Sequence, residues 1–296
     1  KITWFGGEPL LALDTIYRLS NSFMEITEKK KSRYYATILT NGYLLTPEVV
    51  TNLKKCNVDG AQVTLDGPPE YHDRVRCLKN GEATFDRIVD NIKEMDPNFM
   101  ISISTNIGKD NVELFPNFLD ILEERGIKNR IVISIEQLQP REYLCSQVNN
   151  AVFSPEDFSE VYVKLVEMLV DRRIGTNVIP KSYESQCASI SKMGISVGPD
   201  GSLYRCWDVI GNHSECVGRI DQKVKLLDGS YRWLAWDVFN NEECCNCKVL
   251  PLCMGGCPRK ILVKDNILNQ QNHCSYLKYN IPELLKILYK QYNSIK

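Results

Sequence analysis

Cysteine is the residue type whose number and spacing in this sequence point most directly to chemistry. The 296-residue chain has twelve cysteines, most of them in its last third and none among the first 55 residues. The stretch CCNCKVLPLCMGGC holds Cys244, Cys247, Cys253 and Cys257 with two, five and three residues between neighbours, and sixteen residues separate Cys257 from Cys274. Thiolates at this spacing on a glycine-rich loop can turn toward one centre, and a more distant cysteine can complete four ligands. The spacing therefore predicts metal-binding cysteines.

Two of the cysteines that precede this stretch extend the pattern. Cys187 is followed by thirteen residues and Gly201, and four more residues lead to Cys206. Seven cysteines can thus be divided into two metal-binding sets. A zinc-ribbon domain and a disulfide framework are the alternatives. Disulfide frameworks are typical of short secreted chains, whereas this chain has enough core-forming segments to fold without them.

Small and polar residues follow four of the predicted strands. They are Gly6-Gly7-Glu8-Pro9, Thr40-Asn41-Gly42, Asp66-Gly67-Pro68 and Thr105-Asn106. In folds built from repeated strand–helix units, ligands bind at the carboxyl ends of the strands, which meet at one edge. We therefore expect a ligand-binding rim there, with ordinary turn chemistry as the alternative.

Short apolar runs alternate with helical patterns from Lys1 to about Gly175. The predicted strands are ITWF, YATILT, AQVTL, MISISTNI and RIVISIEQL. Each is rich in β-branched residues and too evenly apolar for a sheet with one solvated face, which favours parallel strands buried on both faces. Helical faces are formed by Ile16, Leu19, Phe23 and Ile26; by Phe85, Ile88, Val89 and Ile92; and by Leu114, Phe118, Leu119 and Leu122. A fourth helix is predicted from its Ser154 cap to Gly175.

The pattern changes after about Lys181. Glycines, cysteines and short segments replace the strand–helix alternation, and only PELLKILYKQY near the end is typical of a helix. The chain therefore divides into a parallel α/β domain, open or closed into a barrel, and a smaller domain that does not depend on a large apolar core.

Charge and hydropathy exclude several classes of partner. The formal net charge is −1 and no half of the chain carries a sustained basic block, so neither nucleic acid nor an anionic membrane is expected as a partner. The one basic run, from Lys29 to Arg33, lies at a predicted helix end, where positive charge is favourable. No apolar stretch approaches the roughly 18 residues that a membrane span needs.

The order of the cysteines resembles the SPASM domain of radical SAM enzymes, and Gly-Gly-Glu-Pro with the strand–helix pattern resembles their catalytic domain. The resemblance covers essentially the whole chain. It implies an α/β fold: a partial (β/α)6 radical SAM barrel over residues 1–180, lacking its first strand–helix unit, and a small cysteine-rich SPASM domain over residues 181–296.

The resemblance also implies two auxiliary 4Fe–4S clusters. The ligands of auxiliary cluster II would be Cys244, Cys247, Cys253 and Cys274, and those of auxiliary cluster I would be Cys187, Cys206 and Cys257. Sulfatase-maturating relatives carry a further cysteine where this chain has Lys181. The fourth site of auxiliary cluster I is therefore either open to a substrate thiolate or filled by Cys145, Cys216 or Cys245.

S-adenosylmethionine is the second cofactor that the resemblance implies. In the family, the strand end corresponding to Gly6, Gly7, Glu8 and Pro9 binds its amino group, with glycine carbonyls and a glutamate charge. Its sugar and carboxylate would be contacted at Thr64 and at Ser104 or Asn106. The Cys-x3-Cys-x2-Cys loop that holds the third, catalytic 4Fe–4S cluster lies upstream of this strand in the family. We therefore expect that residues 1–296 alone do not cleave S-adenosylmethionine, whereas the intact parent does.

The implied function is maturation of a peptide or protein by hydrogen abstraction with a 5′-deoxyadenosyl radical. Sulfatase maturases place a catalytic Asp where this chain has Trp207, with Asp208 one residue further, so thioether cross-linking of a ribosomally made peptide is favoured. The alternatives are an anaerobic, formylglycine-forming sulfatase maturase and a zinc-stabilised binding module without catalysis. Iron–sulfur clusters imply a reducing cytoplasm and an electron donor such as flavodoxin or ferredoxin.

Three other residues could suggest chemistry but have simpler explanations or no assignment. His72, between Tyr71 and Asp73, is interpreted as part of a structural hydrogen-bonding group and not as a base. Cys56 follows a helix pattern and is predicted to be a packed core thiol. Cys77 follows a predicted strand on the side of the expected pocket and receives no role.

Overall fold

The computed structural model describes residues 1–139, 151–179, 187–222, 229–263 and 274–295. Within these residues, five parallel strands form one sheet in the order of the sequence. The strands are β1 (Ile2–Trp4), β2 (Ala36–Thr40), β3 (Val58–Thr64), β4 (Met100–Ile107) and β5 (Ile131–Gln137). Gly175 adds a parallel bridge to Val132 beyond β5. The predicted α/β class and all five predicted strands are confirmed.

The two faces of the sheet differ in chemistry. Apolar side chains on one face, such as Ile38, Val63 and Ile103, are completely buried beneath the helices. The opposite face carries polar side chains in neighbouring strands, with Gln62 beside Ser102 and Thr64 beside Ser104 in register. Burial on both faces was expected, but this second face is mostly only half-buried. The difference has a chemical reason, because polar side chains on a concave face can hold a ligand and need access to it.

The helices that cover the sheet follow the predicted pattern. They are α1 (Leu13–Lys29), α2 (Pro47–Lys55), α3 (Pro69–Arg76), α4 (Phe85–Glu94), α5 (Phe115–Glu124) and α6 (Pro155–Asp171). Ser154 caps α6, since its Oγ accepts a hydrogen bond from the Asp157 amide at 3.0 Å. Gly126, at φ +76°, lies one residue beyond the Arg125 cap of α5 in the conformation that favours glycine at helix ends. The basic run begins where α1 ends at Lys29, as predicted.

The C-terminal part of the chain is built from short elements and one long helix. The short strands β6 (Ser196–Val197), β7 (Ser202–Tyr204) and β8 (Gly218–Arg219) pair antiparallel. The helices are α7 (Gly229–Leu234), α8 (Glu242–Cys245), α9 (Leu250–Cys253), α10 (Arg259–Leu262) and α11 (Leu277–Ile295). Tyr204, Trp233 and Val263 belong to a small apolar core that is separate from the core of the barrel. The division at residue 180 stays a prediction.

Helix α11 corrects the predicted helix PELLKILYKQY. It begins at Leu277, five residues before Pro282, which therefore lies inside the helix. Proline is expected at a helix start, but packing overrides that preference here. Leu277 belongs to the barrel core, and the Asn280 Nδ2 donates a buried hydrogen bond of 3.0 Å to the carbonyl of Ser159 in α6. No helix in the described part of the chain combines the length and the apolar character that crossing a bilayer requires.

The buried side chain of His72 contacts the chain just after the end of β3. His72 is fully buried, and its Nδ1 accepts a hydrogen bond from the amide of Asp66 at 3.3 Å. Burial lowers the pKa of His72 to about 4; the charge of Arg76 also lowers it, whereas Asp66 and Asp73 raise it. The imidazole is therefore neutral, with its proton on Nε2. The one hydrogen bond, with Nε2 buried and without a partner among the described residues, supports a packed structural His72 but not a hydrogen-bonding group shared with Asp73 and Arg74.

We predict that His72 makes the fold sensitive to mild acid. Its pKa is about 4 in the folded chain against 6.5 when exposed, so the unfolded state binds more protons between these values. Stability is therefore retained near pH 7 and lost as the pH falls from about 6.5 to 4. Urea unfolding at pH 7 and pH 5 should show about 2 kcal/mol more loss for the natural chain than for His72→Gln, which cannot titrate. Equal losses in both proteins would contradict the prediction.

Candidate cofactor rim and cysteine centres

Gly6 and Gly7 form an open backbone ledge directly after β1. Gly6 has a φ of +156°, which a residue with a side chain rarely adopts. A Cβ atom built at either position would meet no heavy atom of the chain within 4 Å. Packing within the described chain therefore does not require glycine at Gly7, and the space beside it is free for a ligand.

Glu8 fastens the ends of two strands together. Its carboxylate accepts hydrogen bonds from the Thr40 hydroxyl at 2.7 Å, the Asn41 amide at 2.8 Å and the Leu10 amide at 3.0 Å. Pro9 is buried in the 3-10 helix that Glu8 caps. The sequence predicted a negative charge offered to a ligand, whereas this carboxylate is largely committed to donors of its own chain. Glu8 thus sets the position of the ledge.

Thr64, Ser104 and Asn106 lie on the polar face of the sheet. Thr64 and Ser104 are register partners in β3 and β4, and Asn106 follows two residues further along the same face. Asp66 fixes Asn106, because its Oδ1 accepts from both the amide and the Nδ2 of that residue at 3.0 and 2.9 Å. The Arg76 Nε donates to the other oxygen of Asp66 at 2.5 Å. The sequence placed Asp66 on the rim, but it did not predict that Asp66 positions Asn106.

Glu136 is a further residue of the polar face that sequence analysis missed. It is the register partner of Asn106 in β5 and accepts a hydrogen bond from the Ser134 hydroxyl at 3.0 Å. The surrounding protein raises the pKa of this carboxyl through burial, although solvent still reaches the side chain, and the Ser134 hydrogen bond lowers it. The only signal for Glu136 in the sequence was that the predicted strand RIVISIEQL has polar residues near its end.

Four cysteines line one cavity in the C-terminal part of the chain. We call them the outer set, and they are Cys244, Cys247, Cys253 and Cys274. The space between atoms at this site is about 390 Å³, which includes open solvent, and Val249 and Leu250 contribute apolar wall. Burial raises the pKa of the Cys244 thiol, and the charges of the other three sulfurs raise it further, as expected for sulfurs held close together. These are the four cysteines that the sequence grouped by resemblance.

Three more cysteines form a second group, the inner set of Cys187, Cys206 and Cys257. Burial raises the pKa of the Cys206 thiol to about 12, and the charges of Asp208, Cys257 and Cys187 raise it further, whereas a backbone hydrogen bond at Asp208 lowers it. Cys187 and Cys257 therefore both lie close enough to Cys206 for their charges to act on its thiol. Gly201 has a φ of +81° in the turn between β6 and β7 and so returns the chain toward Cys206.

Arg205 joins the segments that carry Cys187 and Cys206, two of the three cysteines of the inner set. It is almost completely buried, and its guanidinium donates to the carbonyl of Ser189 at 3.0 Å and to the carbonyl of Ser191. Ser189 also donates from its hydroxyl to the Cys187 Sγ at 3.2 Å. A single buried side chain thus fixes the Cys187 loop against the strand that leads to Cys206.

A left-handed turn separates the outer set from the inner set. Met254, Gly255 and Gly256 have φ values of +50°, +83° and +77°, between Cys253 of the outer set and Cys257 of the inner set. A Cβ at Gly255 would lie 2.4 Å from the Val238 Cγ2. This turn accounts for the two glycines of MGG, since glycine adopts positive φ without strain.

The remaining cysteines have separate environments. The Cys216 thiol donates to the carbonyl of Gly218, and the Cys245 thiol donates to the carbonyl of Phe239, each at 3.2 Å. Cys145, the third candidate for the inner set, lies outside the described residues, as does Lys181. Cys56 is buried in the barrel core, in agreement with its predicted role as a packed thiol. Cys77 is exposed. Among the described residues, no three His, Cys, Asp or Glu side chains are arranged around a single metal-ion position.

Trp207 connects the inner set to the glycine ledge. It follows Cys206 directly, and its ring meets the ring of Phe5 edge-on at a centroid distance of 5.8 Å. Phe5 immediately precedes Gly6. Although Trp207 makes this contact, its side chain remains 53% exposed. The inner cysteines and the end of β1 therefore border the same region of the molecule.

Comparison with known proteins assigns the first third of the chain to a family. Residues 1–96 match the Radical SAM superfamily, and these residues include the glycine ledge and the first three strands. Residues 1–96 form a radical SAM domain. The predicted resemblance is confirmed, and the match supports a radical SAM enzyme. Members of this superfamily use S-adenosylmethionine with a 4Fe–4S cluster.

Radical SAM relatives align with the chain well beyond this domain. A cysteine-type anaerobic sulfatase-maturating enzyme of Clostridium perfringens is 26% identical, with 95% of this chain and 81% of the relative covered. The radical SAM cyclopropyl synthase TigE of Paramaledivibacter caminithermalis is 24% identical, with 87% of this chain covered. The chain spans only 54% of that relative's length. These relatives fit the SPASM resemblance carried by the cysteine order.

A solved radical SAM structure has the same fold. Native anSMEcpe with bound AdoMet and Cp18Cys peptide superposes with a TM-score of 0.71 at 20% sequence identity, covering 99% of this chain and 86% of that one. At this identity the similarity establishes the fold alone. It confirms the predicted radical SAM fold class.

The turn between the two cysteine sets gives a test of the site's construction. We predict that Gly255→Ala lowers the free energy of unfolding by about 2–4 kcal/mol, because a Cβ is strained at positive φ and collides with buried Val238. Gly229→Ala is the matched control, since its Cβ would lie 4.0 Å from the nearest side-chain atom. Urea unfolding followed by circular dichroism measures both. Similar stability of the two variants would contradict the prediction.

Proposed function

We propose that this chain is part of a radical SAM maturase that modifies a peptide or protein and uses two auxiliary iron–sulfur clusters. The observation that carries the proposal is the four-sulfur cavity of the outer set. A second group of three sulfurs, close to the glycine ledge through Trp207 and Phe5, supports it. A structural cysteine would need neither arrangement.

The donor chemistry of the outer set fits a 4Fe–4S cluster. Such clusters are held by four cysteine thiolates, and the cavity offers four sulfurs with partly apolar walls. A zinc ion would need four sulfurs about 2.3 Å from one point. Here the four cysteines line a cavity whose wall also includes Val249, Leu250 and Gly255. This arrangement favours the cluster over the alternative of a zinc-stabilised binding module.

The inner set would hold the other cluster through Cys187, Cys206 and Cys257. Cys216 and Cys245 each donate their thiol proton to a backbone carbonyl, and neither contributes to the raised pKa of Cys206. These contacts disfavour Cys216 and Cys245, which leaves a fourth site that is either open to a substrate thiolate or filled by Cys145, and the open site is our preferred assignment.

The glycine ledge and the polar sheet face would bind S-adenosylmethionine. Gly6 and Gly7 would present backbone carbonyls to its amino group, with Glu8 and Pro9 fixing the ledge. Thr64, Ser104 and Asn106 would contact its sugar and carboxylate. When bound with its reduced cluster, this cofactor supplies the 5′-deoxyadenosyl radical that removes a hydrogen atom from the substrate. The chain's own part is to bind and orient.

A substrate peptide would lie between the ledge and the inner set, beside Trp207. Thioether cross-linking fits this position, because it requires a substrate sulfur near the carbon from which hydrogen is removed. Formylglycine formation is the second candidate, since the chain is 26% identical to an anaerobic sulfatase-maturating enzyme. Product analysis separates the two, because one reaction yields an aldehyde and the other a cross-link. Both reactions need an electron donor such as flavodoxin or ferredoxin and the reducing conditions of a cytoplasm.

Metal analysis tests the proposal directly. We predict about eight irons and eight acid-labile sulfides per chain, with almost no zinc, after purification and reconstitution without oxygen. Serine substitution at Cys253 of the outer set should remove about half of the iron, whereas Cys77→Ser should remove none because Cys77 is exposed and outside both sets. About one or two zinc ions without sulfide would refute the radical enzyme and favour the binding module.

The open ledge gives a second test. We predict that Gly7→Ala leaves the thermal unfolding midpoint unchanged but weakens S-adenosylmethionine binding roughly tenfold or more, because the added methyl group occupies ligand space and meets no protein atom. Equilibrium dialysis of the reconstituted protein measures the affinity. Gly229→Ala, whose Cβ also meets no close neighbour, should bind normally. Unchanged affinity in Gly7→Ala would argue against cofactor binding at the ledge.

A further inference from the structure

One lysine lies against the outer set. Lys278, in the first turn of α11, donates from its Nζ to the Cys274 Sγ at 3.7 Å and to the Glu243 Oε1 at 2.7 Å. All three residues line the four-sulfur cavity. Glu243 precedes Cys244, so the ion pair joins the segments that carry the first and last cysteines of the set.

The position of Lys278 is unusual for a helix. A positive charge in the first turn opposes the helix dipole, which favours carboxylates there. Contacts outside the helix therefore account for the placement. The hydrogen bond of 2.7 Å to the Glu243 carboxylate holds the side chain as an ammonium beside the Cys274 sulfur.

We propose that Lys278 and Glu243 set the reduction potential of the cluster held by the outer set. The reduced form of a 4Fe–4S cluster carries one more negative charge than the oxidised form. An ammonium that donates to a ligand sulfur therefore stabilises the reduced form and raises the potential. Glu243 opposes this effect, because its carboxylate neutralises part of the lysine charge. The inference rests on the proposed function.

Two variants with opposite charge changes make the inference testable. Lys278→Met removes the positive charge at similar length, and Glu243→Gln removes the negative charge. We expect the midpoint potential of one of the two clusters to fall in the first variant and to rise in the second. Each shift should correspond to about a tenfold change in the equilibrium constant for one-electron reduction, or 59 mV. A loss of packing alone would not produce shifts of opposite sign.

Lys290→Met is the matched control. Lys290 lies on the same helix and pairs with Glu167 at 3.2 Å, twelve residues and therefore about 18 Å from Lys278. It changes the net charge of the chain by the same amount without touching the cavity. Lys278→Arg, which keeps the charge, should retain the natural potential.

The measurement is a redox titration of the whole reconstituted chain, followed by low-temperature electron paramagnetic resonance. Opposite shifts in one cluster signal, absent from Lys290→Met, support the inference. Full cluster content with unchanged potentials, or shifts of the same sign, overturns it and leaves the proposed function intact. Two variants still test the inference if Lys278→Met does not retain its cluster. Lys278→Arg must then keep the natural potential, and Glu243→Gln must raise it. Failure of either expectation overturns the inference. A natural chain without any iron–sulfur signal overturns both.

Discussion

The packing of α11 against α6 is the constraint on which the C-terminal half depends. The Asn280 side chain donates a buried hydrogen bond to the Ser159 carbonyl, and the Tyr276 ring packs against Tyr162 at a centroid distance of 4.6 Å. Cys274 lies just before this helix, so its sulfur is positioned by the barrel and not by the short elements around it. The same core includes Val249 and packs against Cys247 and Cys253. A segment with little apolar core of its own can thus hold four sulfurs in place, because it packs against the core of a larger domain.

The rim of the sheet is built on the same principle, with polar contacts in place of apolar ones. The backbone leaves the sheet at the carboxyl end of each parallel strand, and two carboxylates link neighbouring strand ends by hydrogen bonds. Glu8 links the end of β1 to Thr40 and Asn41, and Asp66 links the end of β3 to Asn106 in β4. Both accept several hydrogen bonds, which are stronger when the acceptor is charged. The rim therefore has a fixed shape before any ligand binds, while Gly6 and Gly7 leave space within it.

Most of the barrel could be predicted from the sequence, and the reasons are local. The spacing of apolar residues, the content of β-branched residues and helix caps such as Ser154 each act within one helix or strand. They are therefore visible in the sequence alone. The start of α11 was not predictable, because it depends on contacts of Leu277 and Asn280 with a helix more than a hundred residues earlier. The same holds for Lys278, whose relation to Glu243 needs the folded chain. The cysteine grouping came from resemblance, and only the folded chain brings the four outer sulfurs to one cavity.

Position 207 distinguishes the two candidate chemistries more sharply than the fold does, since one fold supports both. Aldehyde formation requires a group near the reacting carbon that accepts a proton. Trp207 cannot do so, because an indole has a donor and no basic nitrogen. Its ring instead contacts Phe5 and stays half exposed between the inner sulfurs and the ledge, where it can hold an apolar part of a peptide. Thioether formation would use one substrate sulfur bound as a thiolate at the open site of the inner set. Its proton would be released to solvent on binding, so the reaction needs no base at position 207. The aromatic residue after Cys206 therefore supports the cross-linking that we propose over aldehyde formation.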